Sequence, residues 1–452
     1  MSDLASRVRD EVTGDAQLEV LAGRFCRNLT DDDIAGVRTA QLASEMAQVR
    51  DLARHRTPGE AKVALIRDPD GLATVAAIVT DDMPFLVDSV TAALQHEGRS
   101  IRLLRHPMLV VRRDAEGNLL EVLDLDIDDP RPQDALAESW MAIRLDRDYV
   151  NESDDRTAAY LRRVLGDVRA AVGDWTAMRA KAADIAAALR DHPPAGVDPA
   201  ESVEAANLLD WLEDDHFTFL GYREYRLVAR GGEDVLEVVP DSGLGILRTT
   251  RDLPPTPLPG EIGRRAREPR VLVLTKANAK STVHRAAHLD YVGVKSFDDQ
   301  GRVTGERRFL GLLTASAYNE SVSQVPVVRE RVERVTEAFG FVAGSHDAKD
   351  LRQFLETYPR DELFQTHTDD LIAVASSVMH LGERRQTRLY VRVDDYQRFV
   401  SCLVYLPRDR YTTQVRLRIE RLLREAFHGV SVDYTALVTE SLLARLHYVV
   451  HL

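Results

Sequence analysis

Cysteine is nearly missing: Cys26 and Cys402 are the only two in 452 residues. Thiols so far apart make neither a disulfide framework nor a CxxC metal motif, which points to a reducing cytoplasm. Basic charge is also in deficit. With 59 Lys and Arg against 73 Asp and Glu, a net charge of −14, the chain lacks the positive excess needed to neutralise phosphates, so no nucleic-acid partner is expected. Apolar runs are short and broken by Arg or Asp, so no membrane span is expected. The opening MSDLASRVRDEV has no basic head followed by an apolar stretch, so no secretory signal is expected.

Signatures of catalysis are missing too. Gly243-Leu244-Gly245 continues as Ile246-Leu247-Arg248 without the third glycine of a dinucleotide loop, and reads as a β-turn. No GxSxG elbow occurs, and the carboxylates are scattered. His284-Arg285-Ala286-Ala287-His288 has metal-binding spacing on a helix but no Glu of the hydrolytic zinc motif. It reads as polar positions in a loop or strand. The expectation is that this chain carries no catalytic, cofactor-binding or metal residues.

What is present is an ordinary globular composition, 44% hydrophobic and 29% charged, over a length that suggests two to four domains. The first sixty residues look helical and end at Thr57-Pro58-Gly59. Residues 61–66 and 72–79 read as strands, with Pro69-Asp70-Gly71 turning between them. Asp81-Asp82-Met83-Pro84 stops the strand and opens a helix whose apolar face is Leu86, Val87, Val90, Ala93 and Leu94, with Gly98 as its stop. Ser100–Arg113 is extended, and Leu119–Leu123 and Ser139–Leu145 read as strands. Helices follow over Ser153–Ala171 and Asp174–Leu189, and Asp198-Pro199-Ala200-Glu201 opens another with a capping-box pattern. This order is five-sixths of a ferredoxin-like βαββαβ unit, whose missing strand Phe217–Leu227 could supply.

Residues 216–325 are β-rich, with a Pro-rich surface loop around Pro254–Pro259. Helices resume at Pro326–Ala338 and Asp347–Thr357. Then Leu389, Val391 and Val393 alternate with Arg388, Tyr390 and Arg392, as in a half-buried strand. Phe399–Tyr405 is a second strand. A helix over Arg410–Phe427 puts Val415, Ile419, Leu422, Leu423 and Ala426 on one side and Arg410, Arg418, Arg421 and Arg424 on the other. Strands at Val430–Val438 and Arg445–His451 follow. This second unit stops two elements short of βαββαβ, which suggests a piece of something longer.

The fold class expected is therefore multidomain α+β. A helical segment spans 1–60, and a first ferredoxin-like domain with appended helices spans 61–197. A β-rich domain covers 198–325, a helical connector 326–384, and a second, incomplete ferredoxin-like domain 385–452.

Several segments resemble the large NAD-specific glutamate dehydrogenases of bacteria: Asp82-Met83-Pro84-Phe85-Leu86-Val87-Asp88-Ser89-Val90, Phe219-Leu220-Gly221-Tyr222, Gly243-Leu244-Gly245-Ile246-Leu247-Arg248, Arg308-Phe309-Leu310-Gly311-Leu312, and the fifteen residues from Phe399 to Thr413. The resemblance runs over roughly residues 60 to 452. It implies ACT-like domains flanking a PAS-like β domain, a regulatory and oligomerisation role, and no cofactor in this chain. NAD and glutamate would bind a downstream catalytic domain, which would be the main partner. It also implies homo-oligomers and allosteric response to small amino acids. The turn resembles the general ACT signature, although Phe85 stands where Gly is usual. Effector contacts are accordingly expected at Asp82, Phe85, Leu86, Val87 and Asp88, and interface contacts at Arg408 and Arg410. The alternative is a free-standing amino-acid-sensing protein of ACT type without enzyme activity.

Overall fold

The computed structural model describes residues 3–27, 29–67, 73–146, 154–248, 254–381 and 386–452; the expected turn at Pro69-Asp70-Gly71 lies outside them. The chain is mixed α and β, and its described strands form three antiparallel sheets. It divides into two compact units, residues 1–173 with 281–286, and residues 174–280 with 287–452.

The first unit begins with helices α1 (Asp3–Asp10), α2 (Ala16–Phe25) and α3 (Thr39–Ala53). Its strands are β1 (Lys62–Arg67), β2 (Thr74–Asp81), β3 (Ile101–Arg105), β4 (Met108–Arg113), β5 (Leu119–Leu123) and β6 (Ala135–Leu145). Helix α4 (Leu86–His96) follows β2, and α5 (Asp154–Gly173) follows β6. The sheet order is β1-β2-β6-β4-β5, with β3 also on β6. The edge beside β2 is filled by β1, in register from Lys62↔Val79 to Arg67↔Thr74. This corrects the expectation for Phe217–Leu227, which pairs in the other unit. Closing a hairpin between neighbouring strands costs far less chain entropy than recruiting a strand over a hundred residues on.

This sheet is covered on both faces. Val75, Ala77, Val79, Trp140 and Ala142 meet Leu21, Leu42, Met46 and Val49 of the early helices. On the other face Ala76, Ile78, Met141 and Ile143 are fully buried, where α4 and α5 pack together and α5 runs along β1. Two covered faces explain why β2 is apolar almost throughout instead of alternating. Charge inside is paired. The buried Glu138 carboxylate accepts from Arg56 Nη2 at 2.7 Å, Arg113 Nε at 2.6 Å and Trp140 Nε1 at 2.8 Å, and Glu45 pairs with Arg105 and Arg144.

The second unit opens with α6 (Trp175–Asp191) and α7 (Pro199–Trp211). A long antiparallel sheet follows: β7 (Phe217–Arg230), β8 (Glu233–Val238), β9 (Leu244–Gly245), β10 (Thr256–Leu258), β11 (Leu272–Lys280), β12 (His288–Phe297) and β13 (Val303–Leu313), with α8 (Glu261–Arg267) after β10. The order is β10-β8-β7-β13-β12-β11, with β9 on β7. The Pro-rich loop thus contributes an edge strand, where missing N–H groups are tolerated. Gly245 has φ +60°, and a Cβ there would collide with the Leu220 carbonyl, so the glycine serves a close backbone crossing between β9 and β7. Asp198 caps α7 through Ala200 N at 2.9 Å, but Glu201 does not close a capping box; it accepts from Val271 N at 2.8 Å.

After β13 come α9 (Ala315–Asn319), α10 (Val328–Phe339), α11 (His346–Thr357), α12 (Arg360–Gln365) and α13 (Thr368–Met379). The chain then forms β14 (Arg388–Val393), β15 (Phe399–Pro407), α14 (Thr413–Ala426), β16 (Ser431–Leu437) and β17 (Leu443–His451), in sheet order β14-β15-β17-β16. One face of β15 and β17, with Val400, Cys402, Val404, Leu446 and Tyr448, packs under Leu423, Val415 and Ile419 of α14. On β14 the exposure is opposite to expectation. Leu389, Val391 and Val393 are exposed, while Arg392 binds Glu362 and the Tyr390 hydroxyl donates to Ser377 Oγ. Leu422 also lies open, 53% exposed, off the packed side of α14.

Candidate effector site at a strand-to-helix turn

Strand β2 ends at Asp81, whose carboxylate is fully committed to the scaffold. It pairs with Arg56 at 2.7 Å and Arg169, and accepts from Gly59 N at 2.9 Å. Asp82 follows half-buried. Burial pushes its carboxyl up from the usual range, against the opposing charges of His106 and Arg131. The helix does not start where sequence spacing put it. Pro84 lies in the turn, Phe85 is the N-cap and Leu86 the first helical residue.

Phe85 has φ +70° and ψ 1°, a left-handed conformation, and provides no side-chain cap. That backbone is what glycine adopts freely and what costs an L-residue roughly 1–2 kcal/mol. The turn therefore holds a backbone conformation suited to glycine while carrying a phenyl ring. Ser89 holds the turn: its Oγ donates to the Phe85 carbonyl at 2.6 Å and its N–H donates to the same oxygen at 3.0 Å.

Residues 281–286, between β11 and β12 in sequence, cluster with the first unit and sit against this turn. His284 N donates to Ser89 Oγ at 2.8 Å, and His284 Nδ1 lies 3.1 Å from Asp88 Oδ2. The imidazole packs on the Phe85 ring with centroids 5.1 Å apart. His284 is itself left-handed, φ +68°. Thr282 Oγ1 donates to Asp167 on α5 at 2.8 Å, and burial pushes that carboxyl up.

The five expected effector residues are thus distributed as follows. Asp88 is exposed and already engages a nitrogen donor; Phe85 is strained and its ring lies tilted against His284; Leu86 is buried in the core; Val87 and Asp82 are half-buried. Sequence spacing could not show Ser281–Ala286 here, since His284 stands 196 residues from Asp88. Chemically, the first-turn N–H groups of α4 have no intrahelical acceptors and carry partial positive charge, while Asp88 presents a carboxylate alongside. The turn thus sets partial positive charge and a carboxylate side by side.

Arg408 and Arg410 occupy an exposed 3₁₀ turn ahead of α14. Arg408 Nη1 donates to the Thr439 carbonyl at 3.0 Å.

The chain also resembles known proteins along most of its length. Residues 21–161 match the glutamate dehydrogenase ACT1 domain, 325–384 its helical motif 1 and 388–452 its ACT2 domain. The chain is 35% identical over 464 residues to an NAD-specific glutamate dehydrogenase of Halomonas elongata, an alignment covering 99% of this chain and 28% of that protein. Against the enzymes so named from Pseudomonas aeruginosa and Mycobacterium tuberculosis the identities are 39% and 33%, covering 83% and 89% of this chain and 23% and 24% of theirs. Three domain matches in order, with similarity running through the chain, place it in the family of NAD-specific glutamate dehydrogenases, of whose members it spans about a quarter.

Proposed function

We propose that the chain is the regulatory and assembly segment of an NAD-dependent glutamate dehydrogenase. The parent reaction is L-glutamate, NAD and water to 2-oxoglutarate, ammonia and NADH, and the catalytic domain lies elsewhere in the parent protein. The observation that carries this reading is the succession of ACT1, helical motif 1 and ACT2 over a quarter of the relatives' length. The finer division is part of the same reading: ferredoxin-like ACT domains at 61–197 and 385–452, a PAS-like β domain at 198–325, a helical segment at 1–60 and a helical connector at 326–384, with the first boundary drawn back to 173 because α6 packs in the second unit. The strand orders β1-β2-β6-β4 and β14-β15-β17-β16 support it, because in each a preceding hairpin strand takes one edge of the sheet. Two buried, unpaired cysteines support a cytoplasmic setting.

An amino acid is the proposed effector. Its carboxylate meets the α4 N-terminus at Phe85, Leu86 and Val87, and its ammonium meets Asp88 or Asp82. Entry displaces His284 from Asp88, so binding and the position of residues 281–286 are coupled, which gives the two states that allostery requires. Self-association uses the open β14 face with Leu389, Val391 and Val393, together with Arg408 and Arg410.

Calorimetry tests both parts. The isolated chain is expected neither to reduce NAD with glutamate nor to bind NAD; saturable micromolar NAD binding refutes the first. Aspartate or arginine should bind the wild type and bind Asp88→Ala more weakly, with melting temperatures within a few degrees. If no amino acid binds, or the variant acts only by unfolding, the turn is a structural helix start.

A further inference from the structure

Away from that turn, the second unit gathers two histidines and a carboxylate that nothing above uses. His288 opens β12, directly opposite Lys280 on β11. Asp433 lies on β16, and His451 ends β17, paired with Ser431. Asp433 and His451 are therefore diagonal neighbours on one face of the four-stranded sheet, and they meet a cross-strand pair from the long sheet. His288 Nδ1 is 2.7 Å and His451 Nε2 3.1 Å from the same Asp433 oxygen, Oδ2. The three donor atoms lie within 4.8 Å of one another. Lys280 Nζ takes the other oxygen, Oδ1, at 3.1 Å.

The two rings stack nearly parallel, 18° apart with centroids 3.6 Å apart, and are 9% and 7% exposed. Asp433 thus receives His288 and His451 on Oδ2 and Lys280 on Oδ1, so all three groups converge on one carboxylate. Metal–nitrogen and metal–oxygen bonds of about 2.0–2.2 Å in a tetrahedron put ligand atoms roughly 3.3–3.5 Å apart. The spacings to Asp433 Oδ2 are 3.1 Å at His451 and 2.7 Å at His288, and all three ligand atoms lie within 4.8 Å, so modest side-chain adjustment brings them to the spacing of a shared ion.

We propose that His288, Asp433 and His451 form a binding site for a zinc-like divalent transition metal, with the Lys280 ammonium holding the carboxylate when the metal is absent. Two imidazoles and one carboxylate suit zinc, cobalt or nickel and do not suit calcium or magnesium, which take oxygen ligands. Asp433 is partly open to solvent, which leaves the fourth position to water. Bound metal ties β12 of the long sheet to β16 and β17 of the C-terminal sheet and clamps the two sheets of this unit together. Separations of 145 and 18 residues put the set beyond any sequence motif.

The test uses the whole chain, stripped with chelator and titrated with Zn2+ by calorimetry, and with Co2+ by its visible ligand-field absorbance. One equivalent should bind with micromolar or tighter affinity and raise the melting temperature. His288→Ala and His451→Ala, shown folded by circular dichroism, should each lose at least about tenfold in affinity, as expected when a ligand is removed from a three-ligand site. Lys280→Gln should bind metal several-fold more tightly, because a competing cation is gone; a cluster that is only an ion-pair network gives no such gain. Absence of stoichiometric binding by the wild type, or unchanged affinity in the folded histidine variants, overturns the proposal. If neither histidine variant folds, Lys280→Gln decides: tighter Co2+ binding upholds the site, and equal or weaker binding overturns it.

Discussion

The first and last sheets of the chain share a plan and differ in finish. In each, a hairpin strand precedes a strand–helix–strand passage and takes the edge beside its first strand: β1 next to β2, and β14 next to β15. In the first, α5 runs along that edge strand and packs on α4. In the last, α14 alone covers one face, and Leu389, Val391 and Val393 of the edge strand stand about half exposed. The turns into the helices differ in the same spirit. Thr412 is an extended N-cap whose Oγ1 accepts from Val415 N at 3.2 Å, whereas Phe85 caps α4 in a left-handed conformation with no side-chain bond. One sheet is closed with an uncomfortable turn, and the other is open with a comfortable one. Strain that persists inside a closed structure points to a site, and an apolar face left bare points to a partner.

The largest test of the closed sheet is Glu138→Ala. It leaves the buried Arg56 and Arg113 guanidinium groups without their shared carboxylate. Removing one partner of a buried pair costs about 3–5 kcal/mol, and chemical denaturation should register a loss of that size. Amide exchange in β15 and β17 should be untouched. Burial pushes the Glu138 carboxyl up, but hydrogen bonds and charge from Arg113 and Arg56 outweigh it and hold the group below its usual range. Its stabilisation is thus present above the unfolded pKa and lost as pH falls through the folded one. The wild type should lose stability on acidification more steeply than Glu138→Gln. Equal slopes would mean that this network does not carry the acid sensitivity.

The open sheet calls for a paired measurement. Leu446→Ala, fully buried under α14, should cost about 2–5 kcal/mol. Val391→Ser on the bare face should change stability by no more than about 0.5 kcal/mol. The same serine should weaken self-association seen by sedimentation. If Val391→Ser is as damaging to the monomer as Leu446→Ala, the face is already covered and the contrast between the sheets disappears.

Which parts of this were legible in the sequence follows from range. Local patterns located α4, α6, α14 and the strands around them, because helical and strand periods act over a few residues. Alternation on β14 showed that Leu389, Val391 and Val393 share a face but not which face is covered, since burial depends on what arrives from elsewhere; Glu362 recruits Arg392 inward from 30 residues away. The hairpin of β1 with β2 is legible from its turn, whereas Phe217–Leu227 could be offered as the missing strand of the first unit because it is a strong strand by composition, and composition carries no address. At the site, Asp82 through Asp88 were visible as a motif. The left-handed Phe85 and the arrival of His284 were not, for both are products of tertiary packing.

A pair of small effects at the two helix starts sharpens the comparison most. Thr412→Ala removes a working cap and should cost about 1 kcal/mol. Phe85→Gly removes two opposing quantities. It relieves left-handed strain of roughly 1–2 kcal/mol and loses the contact with the His284 ring, while glycine adds about 0.5–1 kcal/mol of backbone entropy to the unfolded chain. Stability should therefore change by less than about 1 kcal/mol in either direction, even though a half-buried aromatic has been deleted. Space opens at the turn at the same time, so amino-acid binding should strengthen in Phe85→Gly and show a faster on-rate by stopped flow, as His284 loses the ring it packs against. A loss of several kcal/mol would show that the phenyl ring is ordinary core and that the turn carries no strain. Unchanged stability with unchanged or weaker binding would leave Phe85 strained for a reason other than an effector, and the ligand would have to be sought away from the start of α4.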